Sequence, residues 1–236
     1  MSEPDRTTLE IYNRKASDYA DRNEIHLRQD PRLEEFITAC PPGGQVLDLG
    51  CGPGTSSAVM AAAGLRPLAM DASIEMIALA DQLSGVQTQL ASFDELTGID
   101  IYDGVWANFS LLHASRADFP RHLRAIRQAL RSGGPFYIAL KLGKGEARDA
   151  LGRLYTYYED NELKDLLRSA GFTATNSTTG ESAKLRWING TLDFGGLRWL
   201  SCSPTPMVRV LVIPAPAVGV CCCGQWMVRP SSKKRN

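Results

Sequence analysis

The stretch Val46-Leu47-Asp48-Leu49-Gly50-Cys51-Gly52-Pro53-Gly54-Thr55 joins an apolar run, an acid and a turn with glycine at every second position. Glycine there lets the backbone reverse sharply and lets a ligand approach without Cβ interference. A helix starting at Thr55 would add free N–H groups at its first turn. A second acid, Asp71, follows Gly50 by 21 residues at the end of the next apolar run. A carboxylate so placed can accept both hydroxyls of a ribose. The pattern departs from the dinucleotide G-x-G-x-x-G because its third glycine comes one residue early. It also lacks the G-x-x-x-x-G-K-[ST] of a phosphate loop.

Other reactive side chains are sparse. His113, in Asn108-Phe109-Ser110-Leu111-Leu112-His113, is the best candidate for a general base, since imidazole titrates near neutrality. His26 and His122 have weaker claims, and His122, beside Arg121 and Arg124, is expected to be solvated. Tyr12 and Tyr19 fall on one helical face with Ala16, while Tyr155, Tyr157 and Tyr158 cluster and could wall a pocket or pack on the sheet edge. Cys51 reads as a small filler rather than a nucleophile.

These residues need elements to hold them. The spacing predicts helices over Thr8–Asp21 and Pro31–Ala39, the second with Leu33, Phe36, Ile37 and Cys40 as its apolar stripe. Strands are expected at Gln45–Leu49, Leu65–Met70, Val86–Ala91, Tyr102–Ala107, Phe136–Leu140 and Phe172–Thr178. Between them lie helices at Thr55–Ala63, Ser73–Leu83 (Ile74, Ile77 and Ala78 inward), Asp118–Arg131 (capped by Asp118; core stripe Leu123, Ile126 and Leu130) and Glu159–Ala170. Repeated strand–helix units imply an α/β fold: a Rossmann-like, doubly wound, mostly parallel sheet with helices on both faces, in one domain.

Nucleotide, flavin and S-adenosylmethionine sites all use glycine turns of this kind. Val46–Thr55 resembles motif I of class I S-adenosylmethionine (SAM)-dependent methyltransferases. Met70-Asp71-Ala72-Ser73 with Met76 resembles their second motif, and Leu130-Arg131-Ser132-Gly133-Gly134 the turn before the fifth strand. Tyr12, Tyr19 and Ile101–Asn108 look like the small-molecule branch, near ubiquinone-biosynthesis-type and trans-aconitate-type enzymes; the resemblance spans about residues 9–182. It implies SAM as cofactor. Gly50, Cys51, Gly52 and Gly54 would shape the methionine end and Asp48 would lie near the SAM amino group. Asp71 would hold the ribose, with Ala72 and Met76 against the adenine. Ser92 and Phe93 stand where the family often has an acid and an apolar residue, so the usual carboxylate to the adenine amino group is replaced or absent. Asn108 and Phe109 would line the sulfonium side, His113 is the candidate base, and Tyr12, Tyr19 and Tyr157 are candidates to contact the acceptor. The expected acceptor is a small molecule, with oxygen or carboxylate favoured. A SAM-binding module without turnover, or an enzyme acting on protein or RNA, is the alternative.

Net charge is zero, yet residues 1–183 hold 25 acidic and 18 basic side chains, a net −7, and residues 184–236 hold one acid and eight basic residues, a net +7. A composition break near residue 184 sets off an irregular basic tail (184–236), and the resemblance implies an N-terminal helical lid segment (1–40) and a SAM-binding domain (41–183) before it. In the family the last helix is followed by two antiparallel strands. Phe172–Thr178 supplies one, and Met207–Ile213 or Gln225–Arg229 would supply the return. Cys221-Cys222-Cys223 is adjacent rather than spaced as zinc ligands are, so no metal is expected. No apolar run approaches a membrane span and no secretory leader is evident, so a cytoplasmic protein without a membrane partner is expected. Overall neutrality argues against a large nucleic-acid footprint.

Overall fold

The computed structural model describes residues 3–20, 30–179, 188–190 and 207–214. His26, the Cys221–Cys223 run and Gln225–Arg229 lie outside the described residues.

Eight strands form one sheet in the order β3 (Gln87–Leu90), β2 (Arg66–Asp71), β1 (Gln45–Leu49), β4 (Gly104–Asn108), β5 (Phe136–Leu142), β10 (Met207–Pro214), β8 (Thr173–Thr179), β9 (Ile188–Gly190). All neighbours from β3 to β8 pair in parallel, and β9 closes the edge antiparallel to β8. The direction of winding reverses between β1 and β4. That reversal opens a crevice at their carboxyl ends, where open α/β sheets bind ligands. Met207–Pro214 is thus the strand beside β5, but it runs parallel to both β5 and β8, which corrects the expected antiparallel return.

Alternation along β1 distributes the core. Leu47 and Leu49 join a cluster with Val105, Ile138 and Leu140, covered by α5 (Phe119–Ala129) and α6 (Asp160–Ser169) through Leu123, Ile126, Leu163 and Leu167. Val46 faces the other side, with Trp106, Tyr137, Leu33 and Phe36 of α2 (Pro31–Ala39) and Met60 of α3 (Thr55–Ala62). Helices therefore cover both faces of a doubly wound sheet.

Four details depart from the sequence expectation. The first helix, α1 (Arg6–Arg14), stops at Lys15, and residues 16–20 resume as helix. In α4 (Ile74–Ala80) the buried residues are Met76 and Ala80, four apart on one face, so Ile74 is 57% exposed and Ala78 also faces solvent. Asp118 sits at the N-cap of α5 without capping it, because its carboxylate accepts from Ser115 Oγ and Arg121 instead. A short antiparallel hairpin, β6 (Glu146–Arg148) and β7 (Leu154–Thr156), occupies a stretch with no periodic signal.

Candidate functional site

The glycine turn is clipped to the end of β2. Gly50 and Cys51 both donate to Met70 O (2.7 and 3.0 Å), and Gly52 N–H donates to Asp71 Oδ2 at 2.9 Å. Gly50, Gly52 and Gly54 have φ of 72°, 55° and 80°, a region L side chains rarely adopt. Their surroundings differ. A Cβ on Gly50 would run into Ser110 Cβ, and one on Gly54 would stand 2.8 Å from Ala80 Cβ, whereas one on Gly52 would meet only Tyr19 at 3.8 Å. Gly50 and Gly54 serve close packing, and Gly52 keeps a space open.

That space is a cavity of about 500 Å³ over the carboxyl ends of β1, β2 and β4. Asp48, Gly50, Cys51, Gly52, Asp71, Ala72, Met76, Ser92, Phe93, Asn108, Phe109, Tyr12, Tyr19 and His113 all line it. Gly54 does not line it and acts through helix packing. Tyr157 does not line it either; it packs on the core and stacks with Tyr155, 6.2 Å between centroids. Its expected contact with an acceptor is therefore not supported by its position.

The two acids are held differently. Asp48 is 2% exposed, accepts from Ser57 Oγ at 2.7 Å, and is pushed up to about 7 by burial. Asp71 accepts from Gly52 N–H and from Ser73 N–H, 2.9 Å each, and burial raises it against those bonds. Burial, then the charges of Asp48 and Asp71, push the Cys51 thiol well up, so it is no nucleophile. Phe109 has φ 55°, a strained conformation for a non-glycine residue immediately after β4.

On the sheet face of α2 and α3, Asp48, Trp106 and Tyr137 stand in register across three strands. Trp106 and Tyr137 stack at 3.8 Å, and Trp106 Nε1 and Tyr137 Oη have no hydrogen-bond partner among the described residues. The Asp30–Arg32 pair, joined at 2.5 and 2.8 Å, lines the same end of the cavity. At the other end Ser92 forms a capping box with Glu95, Oγ to Oε2 at 2.9 Å. Asp94, whose side chain is 7% exposed, lines the wall with His122, and Arg121 pairs with it. His122 is 5% exposed, which corrects the expectation of a solvated imidazole: the ring turns inward and packs edge-on against Phe93.

The roof is α1. Its N-cap Asp5 pairs with Arg148 at 2.7 Å, Thr8 Oγ1 accepts from Leu154 N–H at 2.8 Å, and Tyr12 Oη lies 2.7 Å from His113 Nε2. His113 Nδ1 lies 2.6 Å from Leu154 O, and Arg153 Nη1 donates to Tyr12 Oη at 3.2 Å. Tyr12 also meets the Tyr19 ring edge-on at 5.8 Å. Sequence reading missed Arg32, Asp94 and Arg153, which fall in no spaced motif, and gave no role to Trp106 within Ile101–Asn108; contacts across the chain mark all four. Among the described residues no group of His, Cys, Asp and Glu could hold a metal ion, and no helix is long and apolar enough to cross a membrane.

Residues 46–134 match a family model described as a methyltransferase domain. No curated protein matches the chain. Among solved structures it is similar to the Burkholderia thailandensis 1,6-didemethyltoxoflavin-N1-methyltransferase, bound to 1,6-didemethyltoxoflavin and S-adenosylhomocysteine, with 26% identity, TM-score 0.58, and 73% of this chain and 81% of that one covered. The fold is shared with DhpI in complex with S-adenosylhomocysteine (20%, TM-score 0.53, 70% and 86% covered) and with the [4+2]-cyclase SpnF (24%, TM-score 0.50, 60% and 56% covered). The glycine turn, the two acids at the ends of β1 and β2 and these likenesses agree: residues 46–134 form a methyltransferase domain on a fold shared with S-adenosylmethionine-dependent methyltransferases, with S-adenosylmethionine as its cofactor.

Proposed function

We propose that the protein methylates a small molecule in the roofed part of this cavity. The observation that carries the reading is one cavity lined at once by the glycine turn, by Asp48 and Asp71, and by the Tyr12, Tyr19 and His113 side chains of its roof. The cofactor supplies a methyl group on a sulfonium, an already activated leaving group. The residues fit it chemically. Burial raises Asp48 to about 7, so a cation beside it would favour its charged form, which suits the ammonium of the methionine end. The Arg32 guanidinium and the first turn of α3 at Thr55 and Ser56 suit its carboxylate. Asp71 would take the ribose hydroxyls, Ala72, Met76 and Phe93 the adenine faces, and Ser92 and Asp94 the polar edge. Asn108 and Phe109 would border the reacting centre. What remains for the protein is to orient the acceptor and exclude water.

A small-molecule acceptor is supported by the roof itself, since α1 closes over the cavity through polar contacts to the β6–β7 hairpin. The similar Burkholderia enzyme, bound to 1,6-didemethyltoxoflavin, supports the same class. Calorimetry with SAM tests the reading. Binding by the parent should weaken about 100-fold in Asp71→Ala, which loses two hydrogen bonds to a charged group. Absence of binding by a folded parent would overturn it.

A further inference from the structure

We infer that the Tyr12 hydroxyl can only accept a hydrogen bond from the methyl acceptor, so that the acceptor is a molecule bringing its own hydrogen: an amine, a ring N–H or a hydroxyl, and not a carboxylate. The inference rests on the methyltransferase reading above. It follows from the direction of three hydrogen bonds. Leu154 O, a carbonyl, can only accept, so the bond at 2.6 Å places hydrogen on His113 Nδ1. A neutral imidazole carries one N–H, so Nε2 is a lone pair and the 2.7 Å bond must be donated by Tyr12 O–H. The imidazolium alternative is opposed by burial, the largest effect, and by the charges of Arg153 and Lys141, which together outweigh the Leu154 carbonyl and Asp149 that favour it. Tyr155 adds a ring edge at 4.9 Å and no charge. Arg153 can only donate, and it points at the same phenol oxygen from 3.2 Å. Asp149 holds that guanidinium at 2.9 and 2.6 Å, and the cation lies over the Tyr12 and Tyr155 rings.

Tyr12 therefore has its one hydrogen committed and only oxygen lone-pair density left for a ligand in the cavity. A carboxylate would meet lone pair against lone pair, a mismatch that costs more in a buried site than in water. An N–H or O–H acceptor donates to Tyr12 Oη and keeps its own lone pair for the methyl. That pair forms the new bond to carbon, the sulfur–carbon pair stays on sulfur as a neutral thioether, and the acceptor's proton leaves to water. Tyr12 touches the acceptor; His113 and Arg153 are positioning residues that fix its polarity.

Nitrogen NMR of the full chain labelled at histidine, with S-adenosylhomocysteine added, reads the tautomer directly. The expected result is His113 with hydrogen on Nδ1 and a hydrogen-bonded lone pair on Nε2, the latter signal alone shifting in Tyr12→Phe. Hydrogen on Nε2 would overturn the inference, because Tyr12 would then be free to donate. Methyl-labelled SAM turned over with a small-molecule extract gives the second readout. Label stable to mild base is expected, falling about tenfold or more in rate with Tyr12→Phe; label released as methanol, the mark of a methyl ester, would overturn it. Calorimetry with S-adenosylhomocysteine separates the two readings, since loss of binding there refutes the cofactor site without altering the tautomer.

Discussion

Two glycines of one turn, two positions apart, answer to different forces. Gly50→Ala forces a Cβ into Ser110, whose hydroxyl donates to Leu49 O at 2.5 Å, so the clash falls where β1 meets the loop after β4. A loss of about 2–4 kcal/mol in chemical denaturation is expected. Gly52→Ala meets only left-handed backbone strain, about 1–2 kcal/mol, and its methyl group enters the cavity, so SAM affinity should fall more than stability. If both variants lose stability equally and bind alike, this division is wrong. Charge follows the same logic. Burial holds His113 at about 4 against an ordinary 6.5, so the native state binds fewer protons than the unfolded chain in that window. Its contribution, roughly 3 kcal/mol, is full above pH 6.5 and is lost as pH falls to about 4. Urea melts at stepped pH should show that slope in the parent and a shallower one in His113→Gln. Asp48 runs the other way: raised to about 7, it disfavours the fold as pH rises from its unfolded value. A bound ammonium reverses that penalty, so SAM affinity should rise with pH up to about 7 and then level, and Asp48→Asn should flatten the profile. At this scale the glycines and acids were legible because the turn demands residues with unusual backbone freedom, and because the acids sit at strand ends. The imidazole of His122 was misread, because its neighbours Arg121 and Arg124 suggested solvent while the helix turned the ring to Phe93.

An element can be held in place by its ends more than by its face. α1 rests on the hairpin through Asp5–Arg148 and Thr8–Leu154 and on the segment after β4 through Tyr12–His113, with Asn13 added by a 2.6 Å bond from Ser73. Asp5 is both N-cap and ion-pair partner, and the Arg148 guanidinium holds its carboxyl well below the usual range. Asp5→Ala should therefore leave the melting temperature nearly unchanged while hydrogen exchange over residues 6–14 accelerates about fivefold or more, as the loss of a cap costs about 1 kcal/mol. Unchanged exchange would mean that Ile11 and Ala16, both buried, hold α1 by packing alone. The hairpin escaped the sequence because two three-residue strands carry no usable period. Helix α5 was legible since Leu123, Ile126 and Leu130 keep a 3.6-residue rhythm and are fully buried.

Across the whole molecule, the order β3-β2-β1-β4-β5 follows from strand–helix units that the sequence spells out, and the crevice follows from the order. The far side does not. β10 comes from beyond the composition break and slides between β5 and β8 in parallel, with a register shift between Val208 and Arg209. Pattern could nominate Met207–Ile213 as a strand, because it is apolar and β-branched, but a strand's direction depends on the path of the chain before it. β10 covers an edge of β5 along seven registered pairs. A chain ending at residue 183 should expose that edge and aggregate, as read by size-exclusion chromatography. A monomer with the parent's melting temperature would show that β10 adds nothing to the sheet.

The stacked indole and phenol of Trp106 and Tyr137 give the molecule an optical property of its own. The chain has four tryptophans, and Trp106 is the one among the described residues. It borders the cavity, has an unshared N–H, and lies flat on a ring that can exchange excitation with it. Its emission should change in intensity and colour when a ligand displaces water from that wall, and Trp106→Phe should remove the change. The protein then carries its own fluorescent gauge of occupancy, built from two residues of its core.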